Sequence, residues 1–170
     1  MHFRATTAAL LAAGVLLAGC SSGGGKGDAG TDVAKKSSVV GLGTAEQVAT
    51  ALAKEVSTMQ TTVVYNKTTD PEHLLGTKDG YSSKIAFSDS RVPPAEVDGK
   101  ADDAVERGGS IETFATPAEA HARADEIVAH AQGPAAEEYH FYVGGSLVRV
   151  SWVMGPSQAA DYRQAAEDLN

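Results

Sequence analysis

The chain has 170 residues, with 14 basic and 22 acidic side chains and a formal net charge of −8. Phosphate backbones and anionic lipid surfaces repel an acidic protein, which argues against a nucleic-acid partner and against adsorption to a membrane by charge. Its single cysteine, Cys20, excludes an intrachain disulfide, so the folded part must be held by its own core.

The first element is an apolar run. Arg4 and the amino terminus supply positive charge, and residues 5–18 are rich in Ala and Leu. A bilayer-spanning helix takes about 20 apolar residues, so this shorter run reads as a cleavable signal. It closes on Leu17-Ala18-Gly19-Cys20. That run resembles the lipobox of bacterial lipoproteins, in which the signal is cut before the cysteine and the thiol is lipidated. The resemblance implies a signal peptide over residues 1–19, a diacylglycerol on Cys20, and residence on the outer face of the cytoplasmic membrane. Two acyl chains anchor firmly where one is marginal, at about 0.8 kcal/mol per buried CH₂. Cys20 is then an attachment point, not a nucleophile or a metal ligand. Removing Arg4 with the signal takes the 14 basic side chains to 13 against 22 acidic, a net charge of −9.

Residues 20–43 read as a tether. Ser21-Ser22-Gly23-Gly24-Gly25, with Gly27, Gly30, Gly41 and Gly43, gives a flexible composition with few large apolar residues to order it. A coil of this length spans roughly 25 Å. Lys26, Lys35 and Lys36 are too few for a second, electrostatic anchor.

Residues 44–170 are the size of one domain with one core. Thr44 with Gln47 three residues on forms a capping-box signature, and Val48, Leu52, Val56 and Met59 make one apolar helical face. Residues 61–65 are β-prone and suggest a short extra strand. Asn66, Asp70-Pro71, Gly76 and Asp79-Gly80 mark a turn-rich loop, with an Asx-type turn at Asp70 and Leu74 and Leu75 pinning the loop to the core. Residues 81–88 alternate, with Tyr81, Ser83, Ile85 and Phe87 inward and Ser82, Lys84, Ala86 and Ser88 on a wet face. A polar loop over 89–108 holds Pro93-Pro94 and Glu96, Asp98, Asp102, Asp103 and Glu106.

A second strand follows over about 109–115, then a helix started by Thr116, Pro117 and Glu119 and stopped at Gly133-Pro134. Its apolar face is Ala120, Ala124, Ile127 and Ala131. Residues 138–143 and 146–154 flank Gly144-Gly145, a two-residue hairpin signal. Pairing through that turn sets Phe141 opposite Val148 and Tyr139 opposite Val150, with Trp152 further along the same core face. Gly155-Pro156 opens a last helix with Ala159, Tyr162, Ala166 and Leu169 inside. The order α-β-β-α-β-β-α predicts an α+β two-layer sandwich, an antiparallel sheet of about four strands with helices on one face.

From about residue 66 the chain resembles a family of secreted lipoproteins of high-GC Gram-positive bacteria with no assigned activity. The likeness rests on Asp70-Pro71 with Leu74-Leu75-Gly76, Gly80-Tyr81-Ser82-Ser83-Lys84, Ser88-Asp89-Ser90-Arg91, Gly108-Gly109-Ser110-Ile111-Glu112 and Glu138-Tyr139. Glu72 and Thr77-Lys78 stand where that family is expected to carry Asn and Arg-Pro. The resemblance implies a surface-anchored protein and brings no catalytic residues with it.

Chemistry-bearing motifs are sparse. Four histidines follow the signal: His73, His121, His130 and His140. His121 and His130 lie nine apart on one helix, half a turn out of phase, and cannot share a metal. Glu126 and His130 are i, i+4 neighbours and make at most half a site. The 96–106 carboxylates lack the spacing of an EF-hand. No nucleophile elbow, P-loop or dinucleotide fingerprint occurs. No catalytic residue, metal ligand or cofactor is therefore assigned.

One surface stands out instead. On the hairpin's outer face Tyr142 lies opposite Leu147 and His140 opposite Arg149, a mix of aromatic, aliphatic and arginine side chains found at protein interfaces. The expectation is a lipid-anchored, non-enzymatic binding module, joined to the membrane through Cys20 and meeting a protein or small-ligand partner in the cell envelope. An inhibitor or immunity-type lipoprotein, blocking an envelope enzyme or phage entry, is the alternative, and a carboxylate-dependent hydrolase the third reading.

Overall fold

A computed structural model describes residues 43–133 and 137–170. The signal, Cys20 and the tether lie outside these residues, as does Pro134. Helix α1 (Ala45–Glu55) is followed by strands β1 (Met59–Val64) and β2 (Ser83–Asp89), two short 3₁₀ turns, and β3 (Gly108–Thr113). Helix α2 (Pro117–His130), the hairpin β4 (Tyr139–Val143) and β5 (Ser146–Val150), and helix α3 (Pro156–Asp168) complete the chain. The five strands form one antiparallel sheet in the order β1-β2-β3-β5-β4. The α+β class with helices packed against an antiparallel sheet is thus as the sequence predicts.

Local signals produce the expected local structure. Thr44 caps α1 and Thr116 caps α2, each in a full capping box with the Gln47 or Glu119 side chain returning to the cap backbone. The hairpin register is the predicted one: Phe141 pairs with Val148, Tyr139 with Val150, Tyr142 with Leu147 and His140 with Arg149. Gly144 takes φ 54° at the turn, a conformation L side chains rarely adopt.

The layering differs from the expectation. Helices α1 and α3 cover one face, where Val48, Leu52, Ile85, Phe87, Ile111, Val148, Val150 and Tyr162 form the main core. Helix α2 covers the other, packing Ala120 and Ala124 on Leu147 beside Tyr81 and Phe114. Leu147 and Val148 are adjacent in β5 and must point to opposite faces, so the sheet is sandwiched between helices. The layers number three, with helices on both faces, and the strands five, because residues 59–64 pair with β2 as a full edge strand. The supposed wet face of β2 is buried: Lys84 is 6% and Ala86 1% exposed.

Two boundaries also move. Helix α1 stops at Glu55, and Met59 begins β1 instead of extending the helix. Strand β5 ends at Val150: the Ser151 N–H makes a last ladder bond to Gly108 O, and the Ser151 hydroxyl then accepts from the Val153 N–H and turns the chain. Trp152 therefore sits half-buried in a turn, outside the core clusters, and Met154 fills the place at 1% exposure. Trp152→Ala should accordingly cost about 1 kcal/mol instead of the ~3–5 kcal/mol of a core aromatic. Iodide should quench its fluorescence in the native state. A loss in the core range, with a quencher-protected tryptophan, would restore the strand to Met154.

Candidate functional site

The face under α2 is lined by charge. Alternation puts Lys84 of β2, Glu112 of β3, Arg149 of β5 and His140 of β4 on it. The register sets Lys84 directly across from Glu112, with Arg149 one strand further and across from His140. Helix α2 lowers Arg123 onto the same spot, because Arg123 falls within the stripe Ala120-Ala124-Ile127 that faces the sheet. The loop between β1 and β2 supplies Glu72.

Asp70 holds that loop. Its carboxylate, 1% exposed, accepts from the N–H groups of Glu72, Leu74 and Leu75 and from the Tyr81 hydroxyl at 2.6 Å. The Asx-type turn is as expected, and its consequence is to pin Glu72 over the sheet. His73 next to it adopts φ 56°.

The ion pairs close on themselves. Glu112, wholly buried, lies 3.0 Å from Arg123 Nε, 3.2 Å from Lys84 Nζ and 3.6 Å from Arg149 Nη1. Glu72 bonds Lys84 Nζ through one oxygen, at 2.5 Å, and Arg123 Nη2 through the other. Arg123 reaches Glu126 as well, at 3.1 Å. Glu138 takes Arg149 in two bonds of 2.9 Å and faces His140 Nε2 at 3.5 Å. Buried charges each cost several kcal/mol to desolvate and are tolerable only when paired. Most of these pairs are also hydrogen-bonded, whereas Glu112 Oε1 and His140 Nε2 are held by charge contact without a hydrogen bond.

The electrostatics follow. Burial alone would raise the Glu72 carboxyl, but its hydrogen bond and charge contact with Lys84, and then Arg123, bring it below the ordinary carboxylate range. Glu138 is likewise buried and yet lowered, by His140 and Arg149, and Asp70 by Tyr81 and three backbone N–H groups. Burial and the Asp70 hydrogen bond push the Tyr81 phenol far above its usual value.

Groups lowered in the folded state contribute stability above their unfolded pKa, about 4, and lose it as pH falls through the folded values. Raised phenols contribute below about 10 and lose it above. Denaturation midpoints should therefore be level from about pH 5 to about pH 9 and fall on either side. A midpoint that climbs on acidification below pH 4 would contradict the network.

A cleft of about 270 Å³ opens over this cluster, between Glu72, Arg123, Glu126, His130, Glu138 and Arg149. The guanidinium groups are already engaged by carboxylates, so the opening offers a ligand mainly carboxylate oxygen, from the 57% exposed Glu126 and the 35% exposed Glu72. Such a lining suits a cationic or donor-rich group. A second cavity of about 420 Å³ lies on the other side of Arg123, against Leu74, Asp79, Phe114 and Glu119.

The residues singled out from sequence fare differently. Tyr142, Leu147, His140 and Arg149 do share one face, but α2 and the charge cluster cover most of it. Leu147 is fully buried and Arg149 is locked to Glu138. Tyr142 stacks on His121 of α2 with ring centroids 3.8 Å apart. The four are therefore not an open patch. Glu126 turns to Arg123 while His130 Nδ1 meets the Glu126 carbonyl, so the pair forms no half-site. In the 96–106 loop Asp103 accepts from Tyr65 and Glu106 pairs with Lys100. Among the described residues no cluster of three or more metal-ligating side chains occurs.

Sequence reading missed Glu72, Lys84, Glu112 and Arg123. The available signal was Arg123 itself, a cation inside an otherwise small apolar helical stripe. The chain matches no family model, no curated protein and no solved structure.

Proposed function

We propose that the folded domain is a non-enzymatic binding module, held at the outer face of a membrane through lipid on Cys20. Two observations support the anchor: the Leu-Ala-Gly-Cys run after a short apolar segment, and a Gly/Ser-rich stretch before the first helix. No helix among the described residues is long and apolar enough to cross a membrane.

The observation that carries the binding reading is the state of the charged groups under α2. Lys84, Arg123 and Arg149 are each taken by two or more carboxylates, and Lys84 and Glu112 are buried. Such a cluster fixes α2 and the 66–80 loop on the sheet and presents an acid-lined cleft. A general base needs a proton acceptor within hydrogen-bond reach of a nucleophile or water site. Glu72 and Glu126, the exposed acids at the opening, both pair with Arg123, and among the described residues no Ser, Thr or Cys lines the cleft beside them.

The full chain, incubated with fractionated cell-envelope material, should retain a component without altering it, and Glu126→Gln should change that retention. Conversion of any component, lost in Glu72→Gln or Glu126→Gln, would overturn the reading in favour of a carboxylate-dependent hydrolase.

A further inference from the structure

We infer that the open edge of β4 is a self-association surface, on which two copies of the chain pair β4 to β4 about a two-fold axis and join their sheets. Four observations lead there.

The sheet has two edges, and they are built differently. At β1 the ladder is broken by a register shift between Thr61 and Val63, and the Thr62 hydroxyl bonds Asp102 O at 2.8 Å, tying a loop to the strand. Bulges and covering loops are devices that stop an edge from pairing. Among the described residues strand β4 has neither: its register to β5 runs unbroken from Tyr139 to Val143, with no proline.

The free hydrogen-bonding groups are identifiable. The two-residue turn makes Val143 and Ser146 the bonded pair, so Phe141 and Tyr139 also bond inward to β5. The N–H and C=O groups of His140 and Tyr142 face outward. Among the described residues one side chain occupies this row. Asn170 donates to Tyr142 O at 2.8 Å and accepts from the Gly144 N–H at 2.9 Å. Its carboxamide stands in for one rung of a missing strand.

A groove of about 430 Å³ follows the edge. It touches His140 and Tyr142 from one sheet face and Phe141 from the other, and its wall is Arg163 and Glu167 of α3. Both wall residues are exposed, one turn apart, and neither makes an ion pair among the described residues.

That charge pattern selects the occupant. Helix α3 runs in the same direction as β4, since Asn170 at its end reaches Gly144. An antiparallel pair of β4 strands crossing at Phe141 sets His140 across from Tyr142 of the second copy. It also makes the two α3 helices antiparallel, with Arg163 of each copy facing Glu167 of the other. The edge is self-complementary in hydrogen bonds and in charge, which an unrelated peptide strand would match only by coincidence. This inference does not depend on lipid at Cys20.

The test is sedimentation velocity on the full chain over a wide concentration range, in excess detergent. The wild type should show a concentration-dependent dimer. Arg163→Glu puts like charges together twice and should weaken it about tenfold. The double variant Arg163→Glu with Glu167→Arg restores complementarity and should restore the affinity. Asn170→Ala removes the stand-in rung and should strengthen association. Wild type and Asn170→Ala both monomeric throughout, an affinity indifferent to Arg163→Glu, failure of the double variant to recover, or a weaker dimer in Asn170→Ala would each overturn the proposal. The substituted side chains are exposed, and unchanged circular dichroism would show that the variants fold.

Discussion

Glu112→Ala is expected to take the domain to the brink of unfolding. Glu112 is wholly buried between Lys84, Arg123 and Arg149, at 3.2, 3.0 and 3.6 Å. Those cations come from β2, α2 and β5, so one carboxylate holds three elements together. Removing it leaves their charge desolvated and only partly compensated by Glu72 and Glu138. Breaking a buried ion pair from one side typically costs about 3–5 kcal/mol, a large share of the 5–15 kcal/mol that holds an ordinary domain. Glu112→Gln keeps the shape but turns an amide toward the cations, so its loss should have the same sign and smaller size. Chemical denaturation compares the two. A Glu112→Ala protein within about 1 kcal/mol of wild type, in the range of ordinary surface substitutions, would mean that α2 is held by apolar contact alone.

Gly109→Ala should be comparably severe for a steric reason. Gly109 lies in β3 at the centre of the sheet, where a Cβ would fall 2.0 Å from Arg149 O and 2.6 Å from the Phe87 ring. The missing side chain lets Phe87 lie across β3 and stack on Tyr162, centroids 5.5 Å apart. Neither neighbour can retreat: one is backbone in the ladder and the other is sealed in the core. Ordinary overpacking costs about 1–3 kcal/mol, and a clash with central backbone should exceed that range. A thermal or denaturant transition indistinguishable from wild type would contradict the packing at β3.

What the sequence made legible was local or periodic. Two capping boxes, the Gly144-Gly145 hairpin with its register from Tyr139 to Val150, Val48 and Leu52 inside α1, and Ala159, Tyr162 and Ala166 inside α3 follow from spacing alone. The layering did not follow, because alternation along a strand separates two faces without saying what covers each. Lys84 was therefore read as facing water and Arg149 as part of an exposed binding patch, because exposed faces are where charges usually lie. Only the arrangement of Lys84, Glu112 and Arg149 on adjacent strands, opposite in sign, joined with Arg123 in the helix's inner stripe, could have shown that the face was closed. Trp152 was misplaced for a related reason. The apolar alternation continues through Val150, Trp152 and Met154, while the strand is ended by a hydroxyl at Ser151 that periodicity does not register. The Asp70 turn was recognisable, but its reach to Tyr81, eleven residues on, belongs to the fold.

The location of the protein rests on Cys20, and so does the reading of the domain as a tethered module. Metabolic labelling with a fatty acid, followed by membrane fractionation, addresses it directly. The wild-type chain should carry label and sediment with membranes as a product cut before residue 20. Cys20→Ala should carry none and appear in the medium or as uncut precursor. Label retained on Cys20→Ala, or an unlabelled wild-type chain released from the cell, would contradict the account.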